Sequence, residues 1–218
     1  MSASALLPAD FSRVARLYDW LASIVFGRAQ RRAQLAALQA GLPLAGPVPR
    51  VLVLGGGPGW VLIELLRRCP AARVLYLETS AAMLGQAQAQ LARCAPDKAR
   101  QVAFRQGSEH DLRPGEQFDA IVTFFVLDCF TLADFPGAMA RLQAARRPGA
   151  PWLVADFRPP RSWWQRGLLW AMYLFFRVVV GLRARQLPPW PAALANACDA
   201  IAYESEFYSG FIASQVWR

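Results

Sequence analysis

The sequence predicts an α/β fold: a mostly parallel seven-stranded sheet, covered on both faces by helices and closed by a C-terminal antiparallel hairpin. Three observations carry this. Five short β-rich runs, at residues 50–55, 72–78, 101–107, 118–126 and 150–157, are separated by stretches able to form helices. The first run passes directly into "GGGPG" at 55–59, the kind of strand-to-helix turn that holds a ligand at the edge of an open α/β sheet. In the tail, "ESEFYSGFIASQVWR", two β-rich runs meet at Ser209 and Gly210 with no room for a helix between them.

Taken in order, residues 1–45 are expected to form a helical cap, with Phe11, Val14, Leu17, Leu21, Ile24, Val25, Leu35 and Leu38 at helical spacing before the turn-rich "GLPLAGPVP". Residues 50–157 are the core, 158–195 a helical insert after the fifth strand, and 203–218 the hairpin. A chain of 218 residues, 55% hydrophobic and 18% charged, can bury one substantial core, so a single domain is expected. The first ten residues lack the basic head and apolar stretch of a signal peptide. Cys69, Cys94, Cys129 and Cys198 lie far apart and the chain has one histidine, which suggests neither a disulfide framework nor a metal site. These features fit a reducing cytoplasm.

The formal charge of +9 is concentrated: nine arginines and one acid, Asp156, lie between Arg141 and Arg185. Such a segment suits nucleic acid, anionic lipid, an acidic substrate, or simply a solvated basic face.

Glycines at the end of the first strand let a ligand lie against bare backbone. Trp60 stands where the dinucleotide fingerprint needs its third glycine, which argues against NAD. The chain's one lysine, Lys98, is remote, which argues against a phosphate-cradling loop for ATP. Glu78 ends the second strand, where a carboxylate can accept ribose hydroxyls. A ribose site without a phosphate site points to an adenosine derivative.

In order and spacing, "VLVLGGGPG", "LYLETSAAML", "QGSEHDL", "FDAIVTFFVLDCF" and "RPGAPWLVADF" resemble class I S-adenosylmethionine-dependent methyltransferases, over roughly residues 50–157. The resemblance implies a Rossmann-like, doubly wound domain. It implies that Gly55, Gly56, Gly57 and Gly59 run beneath the methionine part of the cofactor and that Glu78 takes the ribose. Thr79 and Met83 would then lie beside the adenine, Ser108 and Glu109 would flank it, and Phe124 would contact the cofactor. "VARLYDW" looks like the helix that closes over the cofactor, which nominates Tyr18 and Asp19. The chain departs from the family pattern at Val53 and Ser108, where acids are common.

Aromatic faces attract a sulfonium by cation–π interaction, and Trp60, Phe124 and Phe125 sit near the strand ends. Candidates for a proton-accepting base are Asp128, Asp156 and His110, with helix capping the competing reading for Asp128. Cys129 reads as a buried small hydrophobe. The acceptor pocket is expected from Phe125, Asp156, Trp163, Trp164 and Tyr173. The insert is too short in uninterrupted apolar residues to span a bilayer, and suits either an acceptor lid or an interfacial helix giving peripheral membrane contact through 158–185. A looser similarity to quinone-pathway C-methyltransferases implies a lipophilic small-molecule acceptor. Two other readings stay open: a nucleic-acid methyltransferase, and a partner-binding or membrane-peripheral protein that keeps the cofactor site without turnover.

Overall fold

The structure, a computed structural model, describes residue 26 and residues 28–181 and 183–218. Tyr18 and Asp19, expected over the cofactor, lie outside these residues.

Seven strands form one sheet: β1 (Arg50–Leu54), β2 (Arg73–Glu78), β3 (Val102–Gln106), β4 (Ala120–Phe124), β5 (Trp152–Phe157), β6 (Ile201–Phe207) and β7 (Ile212–Trp217), in the order β3-β2-β1-β4-β5-β7-β6. The first five pair in parallel, and β7 runs antiparallel between β5 and β6. Among the described residues six α-helices accompany them: α1 (Ala29–Gly41), α2 (Trp60–Arg68), α3 (Ala81–Cys94), α4 (Phe135–Ala145), α5 (Trp163–Val180) and α6 (Trp190–Ala197). The observed strands lie within two residues of the runs read from the sequence, because strands buried on both faces are written as continuous aliphatic stretches.

Alternation along each strand splits the core in two. Val51 and Val53 face α1, α2 and α3, with Val74, Tyr76 and Val122. Leu52 and Leu54 face α4 and α6, with Leu75, Ile121 and Trp152. The contact with α1 is close, since a Cβ on Gly41 would overlap Leu153, and Ser214 Oγ donates to the Ala33 carbonyl at 2.8 Å. In the hairpin, Tyr208 and Ser209 take φ +52° and +53° and Gly210 φ +78°, so the chain reverses in left-handed backbone where the sequence places the turn.

Two expectations change. Between β3 and β4 there is no α-helix, only a single 3-10 turn at Glu109–Asp111 capped by Ser108. The insert 158–195 holds two helices of different kinds. α6 buries Trp190 and Leu194 completely in the core, and its last carbonyl, that of Ala197, accepts from Gln143 and Arg146. α5 covers the body with one face and leaves the other exposed.

Candidate active site

β1 lies between β2 and β4, so the chain winds away from it in both directions and the carboxyl ends of β1 and β4 bound a crevice. The glycine loop forms one wall and the turn after β4 the other. Depressions of about 660 and 650 Å³ lie elsewhere, the second at the amino ends of β1 to β3. The switch point of the sheet makes the crevice the candidate ligand site.

The loop's glycines serve different ends. A Cβ on Gly55 would stand 2.7 Å from Val126 Cγ2, one on Gly56 would overlap the Tyr76 ring, and one on Gly59 would stand 2.7 Å from Ala87 Cα. These three are required by the protein's own packing. At Gly57, φ +64°, the nearest atom to an added Cβ is Met83 Sδ at 4.0 Å. Gly57 thus opens onto free space, with Met83 Sδ at its side. Tyr76 donates its hydroxyl to the Gly57 carbonyl at 2.9 Å. Sequence reasoning missed this residue, although strand periodicity puts Tyr76 on the same face as Glu78. Burial, with the Glu78 charge nearby, pushes the Tyr76 phenol well above its ordinary value, so it stays a donor.

Glu78 is 5% exposed, and its carboxylate organises the loop. Oε2 accepts from Gly57 N at 3.0 Å, and Oε1 accepts from Ser80 N at 2.9 Å and from Thr79 Oγ1 at 3.4 Å. An ionised carboxylate offers about four lone-pair sites. One therefore remains on Oε2, and the long Thr79 bond is the one a ligand hydroxyl can displace most easily. Ser80 caps α3 by accepting from Met83 N at 3.3 Å, which fixes Met83 beside the loop.

The facing wall begins with Phe125, whose φ of +53° is uncommon for a bulky residue. Such a conformation costs on the order of 1–3 kcal/mol and persists where the surroundings enforce it. Here Phe125 N donates to Ala155 O at 2.8 Å and the ring packs edge-on against Phe157 at 5.3 Å. The next turn, Leu127–Cys129, hangs on Asp156, which accepts from Leu127 N at 3.0 Å and Phe157 N at 2.7 Å. Asp156 is fully buried and holds this turn in place, which corrects its expected position in an acceptor pocket. Asp128 does not cap the next helix: α4 starts after Asp134, which pairs with Thr131. Desolvation lifts the Asp128 carboxyl to about 6, and both burial and the Asp128 charge raise Asp156 well above the carboxylate range. Two carboxyls crowded in this way do not ionise together readily.

Cys129 is an exposed residue rather than a buried one, and its Sγ lies 3.5 Å from Asp128 Oδ1. Desolvation of the sulfur and the neighbouring carboxyls push the thiol well up, which keeps it protonated and unreactive. Tyr173, buried on the inner face of α5, donates to the Asp128 carbonyl at 3.2 Å and joins the insert to this turn.

After β3, Ser108 Oγ accepts from His110 N, and Asp111 Oδ2 accepts from Ser108 N. Glu109 is buried, with Oε1 3.1 Å from His110 Nε2 and 3.8 Å from Arg141 Nη1. Glu109 Oε1 is thus engaged by both side chains. The His110 ring is exposed and already paired.

Three aromatic expectations are overturned. Phe124 is buried in the core, and Trp60 faces α1, where Arg31 lies 5.2 Å over its ring. Trp163 is 79% exposed. Trp164 packs edge-on against Tyr208 at 5.8 Å, within an aromatic group that includes Phe26, Phe157 and Phe211. Among the described residues, no group of three or more His, Cys, Asp or Glu could hold a metal ion.

Residues 52–151 match the family model described as a methyltransferase domain. Over these residues, a little under half of the chain, the protein is similar to methyltransferase domains. A curated relative, the trans-aconitate 2-methyltransferase of Deinococcus radiodurans, is 36% identical over 119 residues, 55% of this chain and 42% of the relative. The chain thus spans less than half the length of that relative. An O-methyltransferase family protein from Burkholderia thailandensis shares the fold at a TM-score of 0.71 and 18% identity, covering 98% of this chain and 64% of that one. Human N-acetylserotonin methyltransferase, solved in complex with S-adenosylmethionine, does so at 0.62 and 17%, covering 100% of this chain and 60% of that one.

Proposed function

We propose that this protein is a methyltransferase that transfers the methyl group of S-adenosylmethionine to a lipophilic small molecule. The observation that carries the cofactor's placement is the single open position at Gly57, beside the lone pair left on Glu78 Oε2 at the switch point of the sheet. The residues present fit that group: Glu78 and Thr79 for the ribose, the backbone at Gly57 for the methionine part, and Met83 and the Ser108–Glu109 backbone for the adenine. When bound, it supplies an electrophilic methyl on a sulfonium.

The chain's own residues align the acceptor with that methyl and keep water away. Phe125, Trp164 and Tyr208 offer aromatic surface near the crevice, and the inner face of α5 adds Leu168, Leu169 and Met172. This favours a lipophilic acceptor. In our reading Asp128 is the base, taking a proton from the acceptor, while Asp156 and Tyr173 position its turn. His110, exposed and paired with Glu109, is the weaker candidate.

Calorimetry should show saturable heats for S-adenosylmethionine and S-adenosylhomocysteine and none for NAD. Heats for NAD alone would sink the cofactor reading. A base must be ionised, and the Asp128 carboxyl is lifted to about 6, so turnover should rise with pH through about 6 and level off above it. Asp128→Asn should remove that limb and lower kcat by about 100-fold with little change in cofactor affinity. An unaltered rate and pH profile would reduce Asp128 to a structural role.

A further inference from the structure

We propose that the outward face of α5 is a docking surface for an anionic lipid bilayer. The helix is firmly seated on its inner side. Ser162 and Gln165 form a capping box at its start, Gln165 Nε2 donates to Ser209 O at 3.1 Å, and Tyr173 reaches Asp128. The exposed positions recur at 163, 166, 167, 170, 171, 174, 177 and 178, the three-and-four spacing of one helical face. On an ordinary surface helix that face would be polar. Here it carries Trp163 at 79% exposure, Trp170 at 67%, Leu174 and Val178, with Arg166 and Arg177 among them.

Charge identifies the partner. There is no acidic residue between Asp156 and Asp199. Arg158 and Arg161 are occupied by Glu204 and Glu206, but Arg166, Arg177, Arg183 and Arg185 make no ion pair among the described residues. A second copy laid face to face on α5 would set arginine against arginine with no carboxylate to meet it. Anionic headgroups meet all four, and tryptophan rings favour the water–lipid boundary. No helix among the described residues is long and apolar enough to cross a membrane, so the contact is with the surface. Docking itself needs no methyl transfer. Because α5 also touches the Asp128 turn, docking would set the proposed crevice beside a lipid-dissolved acceptor.

The test is co-sedimentation of the full chain with vesicles of phosphatidylcholine alone and of equal parts phosphatidylcholine and phosphatidylglycerol. Binding is expected on the mixed vesicles, weak on the neutral ones, and lost at about 1 M salt, where charges are screened within a few ångströms. Trp163→Ser with Trp170→Ser should weaken it by about tenfold or more. Arg166→Gln with Arg177→Gln should weaken it by about fivefold for each arginine. These side chains are exposed, so thermal melting and the calorimetric response to S-adenosylmethionine should be unchanged, which separates failure here from failure of the cofactor site. Two results would overturn the proposal: no binding to the mixed vesicles, or binding that the variants leave intact. So would a dimer in sedimentation velocity that the tryptophan variants dissolve, because the face would then belong to a second copy.

Discussion

Replacing Gly57 by valine is expected to abolish S-adenosylmethionine binding while leaving the protein folded. Gly57 sits at φ +64°, and an added Cβ would project into free space, with Met83 Sδ the nearest atom at 4.0 Å. The protein itself therefore resists the new side chain only through backbone strain, about 1–2 kcal/mol for a left-handed residue. A ligand lying along the loop has no such latitude, because the isopropyl group fills the volume it needs. Calorimetry should lose its signal at ligand concentrations about 100-fold above the wild-type Kd, and the melting temperature should fall by only a few degrees. The contrast is Gly56→Ala, whose Cβ overlaps the Tyr76 ring inside the core and should act mainly on stability. If Gly57→Val binds the cofactor normally, the open space is not the methionine site, whatever the fold.

The contrast between these neighbouring glycines marks what could be read in the sequence. The strands were legible because buried parallel strands spell themselves as aliphatic runs, and so was the place of Glu78 at the end of one of them. The separate tasks of Gly55, Gly56 and Gly59 were not legible, since their partners Val126, Tyr76 and Ala87 come from other elements. Trp60, Phe124 and Trp163 were misplaced for a related reason. Position near a strand end or on a helix fixes where a residue is along the chain, and the side it faces depends on what packs there. In α5 both faces are apolar, so periodicity alone could not say which one the body would cover. Asp156 followed the same pattern: it ends β5 as a site residue would, yet its two backbone bonds turn it into the support of the Asp128 turn.

Glu78 is where fold and proposed function meet most tightly, and its replacement is the second large effect expected. Its carboxylate already accepts from Gly57 N and Ser80 N, so it shapes the loop before any ligand arrives. Glu78→Gln keeps the volume but leaves one acceptor oxygen for two backbone donors, and its amide group faces the other. Losing one hydrogen bond to a charged acceptor costs about 1.5–3 kcal/mol, so cofactor affinity should fall by about 10- to 100-fold. Glu78→Ala should fall further, because two amides lose their buried partner at about 1–3 kcal/mol each and the melting temperature should drop as well. Adenosine supplies a discriminating probe. If Glu78 holds the ribose, 2′-deoxyadenosine and 3′-deoxyadenosine should lose affinity relative to adenosine in the wild type and much less in Glu78→Gln. Equal discrimination in both proteins would move the ribose away from Glu78 and leave that carboxylate as the organiser of the loop.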